Sequence, residues 1–171
     1  KFPEIGKIMH TKSDEFLFNQ GPARGLGRIQ FHDYLLVFDQ FDIPNVNIFK
    51  EQIEVFKQFL AAATPDDEQQ KDIDFLMGLG EIFTLVVYGQ MVLEEAKLES
   101  LEADLIDQIF DVMVRDFSKF SVELYGKQST TLDQMEYCLK MIEKPAVDKP
   151  RYENIWANYV CALKDTYIMN E

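Results

Sequence analysis

The sequence predicts an all-α protein, an up-and-down helical bundle of about five or six helices. Three observations predict it. Apolar residues recur at three- and four-residue spacing through most of the chain, no segment of appreciable length alternates as a strand, and the connections between the long periodic stretches are short. The chain has 171 residues, 47% of them hydrophobic, with 14 Phe, 7 Tyr and 7 Met but only 8 Gly and 6 Pro. That composition supplies one core of ordinary size and leaves little for disorder.

The expected division is an extended or loop leader over residues 1–30 and a helical bundle over residues 31–171. The leader ends in the breaker-rich stretch Gly21 to Gly27, which reads as a loop. Phe31, Tyr34, Leu35 and Phe38 then mark a short amphipathic helix that ends before Pro44. Pro44 suits the first turn of a second helix, with Phe49, Ile53, Phe56, Phe59 and Leu60 on one face.

Thr64, Pro65 and the acids Asp66, Asp67 and Glu68 read as a capped start, so the longest helix is expected over about residues 65–99. Its centre, from Leu79 through Ile82, Phe83, Leu85, Val86 and Val87, is apolar nearly all round and is expected to be buried on several sides. Gly78, Gly80 and Gly89 each cost roughly 1 kcal/mol relative to Ala in a helix interior, which points to close approach by another helix or by a ligand. No phosphate-binding loop precedes them, so helix packing is the preferred reading.

A fourth helix is expected from about Leu101 to Tyr125, stopping at Gly126, with Leu105, Ile109, Val112, Met113, Phe117 and Phe120 inward. Thr131 and Gln134 form a capping box that opens a short fifth helix carrying Met135, Leu139 and Ile142. Asp148, Lys149 and Pro150 launch a sixth with Ile155, Trp156, Tyr159, Val160, Leu163 and Tyr167 as its stripe.

The formal charge is -13, from 17 Lys and Arg against 30 Asp and Glu. Such a surface repels phosphate backbones and anionic lipid, so neither nucleic acid nor membrane insertion is expected. The leader alone is basic: Lys1, Lys7, Lys12, Arg24 and Arg28 outnumber Glu4, Asp14 and Glu15. It reads as a solvated connection or as a contact for an acidic surface. The apolar run Ile82 to Leu93 is too short to cross a bilayer, and no signal sequence is visible. Cys138 and Cys161 form no C-x-x-C pair. A reducing, cytoplasmic setting is the expectation. The opening at Lys1 has no cap or initiation logic, and a piece of a longer chain is expected.

The candidate chemistries are each weak. His10 and His32, the only histidines, lack the Glu-x-x-His spacing of two-metal helical sites, and no metal ligand is assigned. No nucleophile elbow or cysteine-protease signature is present. Glu81, in the apolar centre of the longest helix, is expected to be buried in an ion pair, with Arg115 as the cation; Asp111 and Asp116 offer Arg115 a simpler local partner. Glu94, Glu95, Glu99, Glu102 and Asp104 lack the loop spacing of a calcium site and read as a solvated helix end. No residue is assigned a catalytic role.

Three segments carry a resemblance: Gly25-Leu26-Gly27-Arg28-Ile29-Gln30-Phe31-His32-Asp33-Tyr34, Val114-Arg115-Asp116-Phe117-Ser118-Lys119-Phe120, and Tyr167-Ile168-Met169-Asn170. Leu124-Tyr125-Gly126-Lys127-Gln128-Ser129-Thr130-Thr131 and Lys144-Pro145 add to it. Together they resemble the C-terminal helical extension of longer bacterial acyl-CoA dehydrogenases. The resemblance implies a parent flavoenzyme that uses FAD and a glutamate base to remove a proton and a hydride from adjacent carbons of an acyl-CoA thioester. It implies for this segment a structural or oligomerisation role against the acyl-CoA dehydrogenase core or in a homo-oligomer, with no cofactor held by the segment alone. The family's Tyr-Glu-Gly-Thr type signature is absent, so no family catalytic residue transfers. The alternative is a freestanding interaction module that receives a partner helix.

Overall fold

The computed structural model describes residues 33–164 and 166, and the chain divides between Gln30 and Phe31. The expected leader and both histidines therefore lie outside the described residues. Six α-helices follow: α1 (Leu35–Phe38), α2 (Pro44–Ala62), α3 (Ile73–Glu99), α4 (Ala103–Tyr125), α5 (Leu132–Lys140) and α6 (Lys149–Ile155). Past α6 the coil widens into a π turn (Trp156–Val160) and tightens into a 3₁₀ turn (Cys161–Leu163). No strand occurs among the described residues. The bundle class is as the periodicity predicts.

The longest helix starts at Ile73 rather than near residue 65. Thr64 does not cap it: its hydroxyl donates back to the Leu60 carbonyl at 3.0 Å. The Asp66 carboxylate instead accepts from the amides of Glu68 and Gln69 at 2.9 and 2.8 Å, which starts a single 3₁₀ turn, Gln69–Lys71. The true N-cap is Asp72, whose carboxylate accepts from the amides of Asp74 (3.0 Å) and Phe75 (3.2 Å). Ser129 donates to the same carboxylate at 2.6 Å, tying the start of α3 to the turn after α4.

These hydrogen bonds, Ser129's foremost, hold the Asp72 carboxyl below its ordinary value of 3.8. A carboxyl depressed in the folded state stabilises the protein above its unfolded pKa, and that contribution disappears as pH falls through the folded value. Asp72→Ala is therefore expected to melt below the parent at neutral pH, with the gap closing once the pH is taken below 3.8. Thermal melts across that acid range check the sign, and a gap that is constant with pH would contradict it.

Helix α4 is the hub and packs against α2, α3, α5 and α6. Relative directions can be read from paired positions. Asn45 bonds Asp107 and Gln52 bonds Val114, so α2 and α4 advance together and run parallel. Gly78 faces Leu124 and Gly89 faces Met113, so α3 runs antiparallel to α4. Gln52 reaches Met141 while Ala63 reaches Gln134, which makes α5 antiparallel to α2. The up-and-down alternation follows from short connections between neighbouring helices.

The core is aromatic. Phe38, Phe49, Phe110 and Phe117 are fully buried and interlock, with Phe49 edge-on to Phe110 (centroids 5.3 Å apart) and to Phe117 (5.5 Å). The predicted α2 face is the observed one at Phe49, Ile53, Phe56 and Phe59. At α4 the buried set is Ile106, Phe110, Met113, Val114, Phe117 and Leu124, so Val112, expected inward, is exposed. At α5 the buried side chains are Gln134 and Cys138, followed by Met141; Leu139 and Ile142, expected inward, face outward.

Close helix packing accounts for Gly89 of the three glycines in α3, whereas a Cβ at Gly78 would make ordinary contact. A Cβ at Gly89 would lie 2.8 Å from a ring carbon of Phe49, and one at Gly78 would lie 3.4 Å from Leu124. Gly80 differs, since a Cβ there meets nothing within 4 Å.

Candidate functional site

Two features stand out on the bundle: a buried polar cluster that anchors α6, and two exposed apolar stripes. The cluster begins with a helix start that cannot cap itself. The residue before α2 is Ile43, with no side-chain acceptor, and Pro44 takes the first turn. Asp107 of α4 caps it across the bundle, its Oδ1 accepting from the Asn45 amide at 2.8 Å. A carboxylate at a helix N-terminus is favoured by the orphan amides and by the helix dipole.

Asn45, freed from capping, straps the segment before α6: its Oδ1 accepts from the Ala146 amide at 2.7 Å. Arg151 of α6 completes the cluster. Its guanidinium bonds Asp107 Oδ2, Asp111 Oδ2 (3.2 Å) and the Ala146 carbonyl (3.3 Å), and it is only 4% exposed. Arg115 approaches Asp111 from the solvent side, Nε to Oδ1 at 2.8 Å. Two cations face two carboxylates, and the cluster is a structural clamp.

A second buried knot joins the two turns at the far end. Gln69 and Gln134 exchange side-chain hydrogen bonds at 2.7 and 3.0 Å, and Gln134 also holds the Ala63 carbonyl. The same Gln134 closes the predicted capping box with Thr131. Amide side chains suit such turns because each offers both donors and an acceptor.

The larger surprise is what stays uncovered. The centre of α3, expected to be buried on several sides, is covered on one: Val86, Ile82 and Leu79 are buried, whereas Val87, Tyr88 and Met91 are exposed. Met77 and Met91 are 62% and 60% exposed, and Ile73 and Leu98 extend the apolar strip to both ends of the helix. Below it, α1 and α3 frame a shallow groove of about 580 Å³, lined by Leu36, Val37, Gln90, Glu94, Lys97 and Leu98 among others. The second stripe follows Arg151: Tyr152, Trp156, Tyr159, Val160 and Leu163 are all exposed, although the spacing predicts an inward face for most of them. Tyr152 and Trp156 stack with ring centroids 6.2 Å apart.

The other sequence candidates fall as follows. Glu81 is exposed, and the expected buried pair with Arg115 does not form; the local alternative, Asp111, holds Arg115 instead. An i, i+4 pair on one helix needs no tertiary alignment, which is why it prevails. That contact raises the Arg115 pKa. Burial pushes the Cys138 thiol up to about 12, which leaves it protonated and inert. Glu102 and Asp104 accept from Asn154, at 3.4 and 2.8 Å, while Glu94, Glu95 and Glu99 are exposed. Among the described residues no group of three His, Cys, Asp or Glu side chains is placed to hold a metal ion. Also among them, α3 alone is long and apolar enough to cross a membrane by length and composition.

Tyr34, Glu54 and Lys57 form a further titratable group. Burial would raise the Glu54 carboxyl, but bonds from the Tyr34 hydroxyl and from Lys57 (3.0 Å) outweigh it and hold it below the usual range. Compared with known proteins, the chain matches no family model, no curated protein and no solved structure.

Proposed function

We propose that this chain is a non-catalytic helical docking domain that seats the exposed apolar face of α3 on another protein surface. The observation that supports this reading is the contrast within α3: the most apolar long helix is the one that leaves Ile73, Met77, Tyr88, Met91 and Leu98 open to solvent. Apolar side chains lined up along one exposed helix face of a chain of this acidity are the usual mark of an interaction surface. The resemblance in the sequence suggests the owner of that surface: the core of an FAD-dependent acyl-CoA dehydrogenase, or a second subunit of it, with the present chain following the core in the same polypeptide. The acidic flanks of α3 favour protein over anionic membrane as the surface met.

The test is made in the full-length gene product. Deleting residues 31–171 is expected to lower FAD retention and to reduce the oligomeric mass measured by light scattering. If neither changes, the supporting role is wrong. A second reading, a freestanding interaction module, draws on the exposed Tyr152 and Trp156 pair, since stacked aromatics outside a core are typical binding anchors. The reading frame discriminates: an upstream flavin-binding region supports the first reading, and an independent start codon the second.

A further inference from the structure

The exposed face of α3 has a period as well as a polarity. Ile73, Met77, Val87, Met91 and Leu98 share it with Gly80 and Thr84, and successive members are spaced four, three, four, three and four residues from Ile73 to Met91. Seven-residue repeats at 73, 80 and 87 and at 77, 84 and 91 are the spacing of a seam between two helices, sustained here over about 27 Å before Glu94 takes the next seam position and Leu98 resumes it. A flat or irregular partner would not need that regularity. Open space beside Gly80 adds a notch in mid-seam where a second helix can come close.

The flanks are mostly acidic, with Lys127 the cation nearest Asp74 and Glu81. Glu81, Glu94, Glu95 and Glu99 border or interrupt the seam and form no ion pair among the described residues, while Asp74 is already held by Lys127 at 2.7 Å. Lys97, the sole cation of α3, donates to Gln40 at 2.8 Å. Two copies of this face would align carboxylates with carboxylates, a repulsion that disfavours self-pairing.

We infer that the α3 face receives a single amphipathic helix from a partner protein, with an apolar four-three seam flanked by Lys or Arg that pair with Glu81, Glu94, Glu95 and Glu99. The inference rests on the docking reading above and adds the secondary structure and charge of the occupant. Met and small side chains in the seam permit repacking around differing apolar knobs, whereas the carboxylates select the basic flanks.

The experiment uses the whole chain and two synthetic peptides of about four heptads with the same leucine seam, one flanked by Lys and one by Glu. Fluorescence anisotropy is expected to show the Lys peptide binding at least about tenfold more tightly, with affinity falling as salt is added. Met77→Gln with Met91→Gln, which alters exposed positions and leaves the charge unchanged, is expected to weaken that binding about tenfold while the circular dichroism melt stays that of the parent. Glu94→Lys with Glu95→Lys is expected to reverse the preference between the peptides.

Equal binding of both peptides, binding of neither, or Lys-peptide binding indifferent to the Met77 and Met91 changes would overturn the inference. So would a concentration-dependent dimer, or binding to phosphatidylcholine and phosphatidylglycerol vesicles, that the same double variant abolishes. The two Met substitutions made in the full-length product separate this failure from that of the docking reading. Loss of oligomeric mass there, with no discrimination between peptides, leaves docking intact and removes only the basic helix; unchanged mass and FAD retention remove both.

Discussion

Replacing Arg151 with methionine is expected to destabilise the bundle by about 3–5 kcal/mol, the cost of stranding a buried carboxylate when its cationic partner is removed. Arg151 is 4% exposed and Asp107 is 6% exposed, so water cannot take the place of the lost guanidinium without opening the fold. Asp111 retains Arg115, and the heavier penalty falls on Asp107, which keeps only the Asn45 amide on its Oδ1. The loss is read from urea unfolding followed at the helical circular dichroism band, and for a chain of this length it corresponds to roughly 10 °C in melting temperature. Because α6 packs chiefly on α4, the tail beyond Asp148 is expected to lose amide-exchange protection before the core does. A loss below about 1 kcal/mol would place the pair among solvated surface bridges.

The pair is also coupled. Asp107→Asn alone removes the charge that Arg151 needs and weakens the cap on α2. The double variant is expected to cost less than the two single costs added, by about 1–3 kcal/mol, since the second change removes an already unpaired group.

Phe49→Ala is expected to cost about 3–5 kcal/mol as well, for a different reason. Phe49 is fully buried and touches three rings, stacked on Phe38 at 6.1 Å and edge-on to Phe110 and Phe117. Truncation leaves a cavity where α1, α2 and α4 meet, and rings held on several sides cannot collapse into it.

The same ring governs Gly89, where an added Cβ would lie 2.8 Å from it. Gly89→Ala would ordinarily gain helix propensity, yet here overpacking is expected to dominate at about 1–3 kcal/mol, because Phe49 has no room to give. Phe49→Leu should relieve much of that cost, so the pair Phe49→Leu with Gly89→Ala is expected to be less damaging than the sum. Strict additivity in denaturant unfolding would mean that the ring and the glycine are not in contact.

Local chemistry made most of the bundle legible in the sequence. The α2 stripe from Phe49 to Phe59, Pro44 in the first turn, the Thr131 capping box and the Asp148 cap each depend on residues within one or two turns of one another, and each is observed. The errors lie where distant residues decide. Thr64-Pro65-Asp66 read as the start of the longest helix, yet Asp72 opens α3, where its carboxylate also gains Ser129, which lies 57 positions away in sequence. On α4 the buried face centres on Ile106, Phe110, Met113 and Phe117, and Val112 lies at the edge of the apolar arc, where the neighbours of α4 leave it exposed.

The candidate site divides in the same way. Sequence by itself determined an acidic, all-helical chain with an apolar α3, because charge, period and caps are properties of neighbouring residues. Only the tertiary structure decided that Asp107 caps α2 from another helix, that Arg151 is clamped inside, and that the apolar strips on α3 and beyond Arg151 face outward. An apolar stripe has the same spacing whether it meets a neighbouring helix or open water. The neighbours in the fold settle which: among the described residues α4 and α1 pack against one side of α3, and no other helix there covers the opposite side.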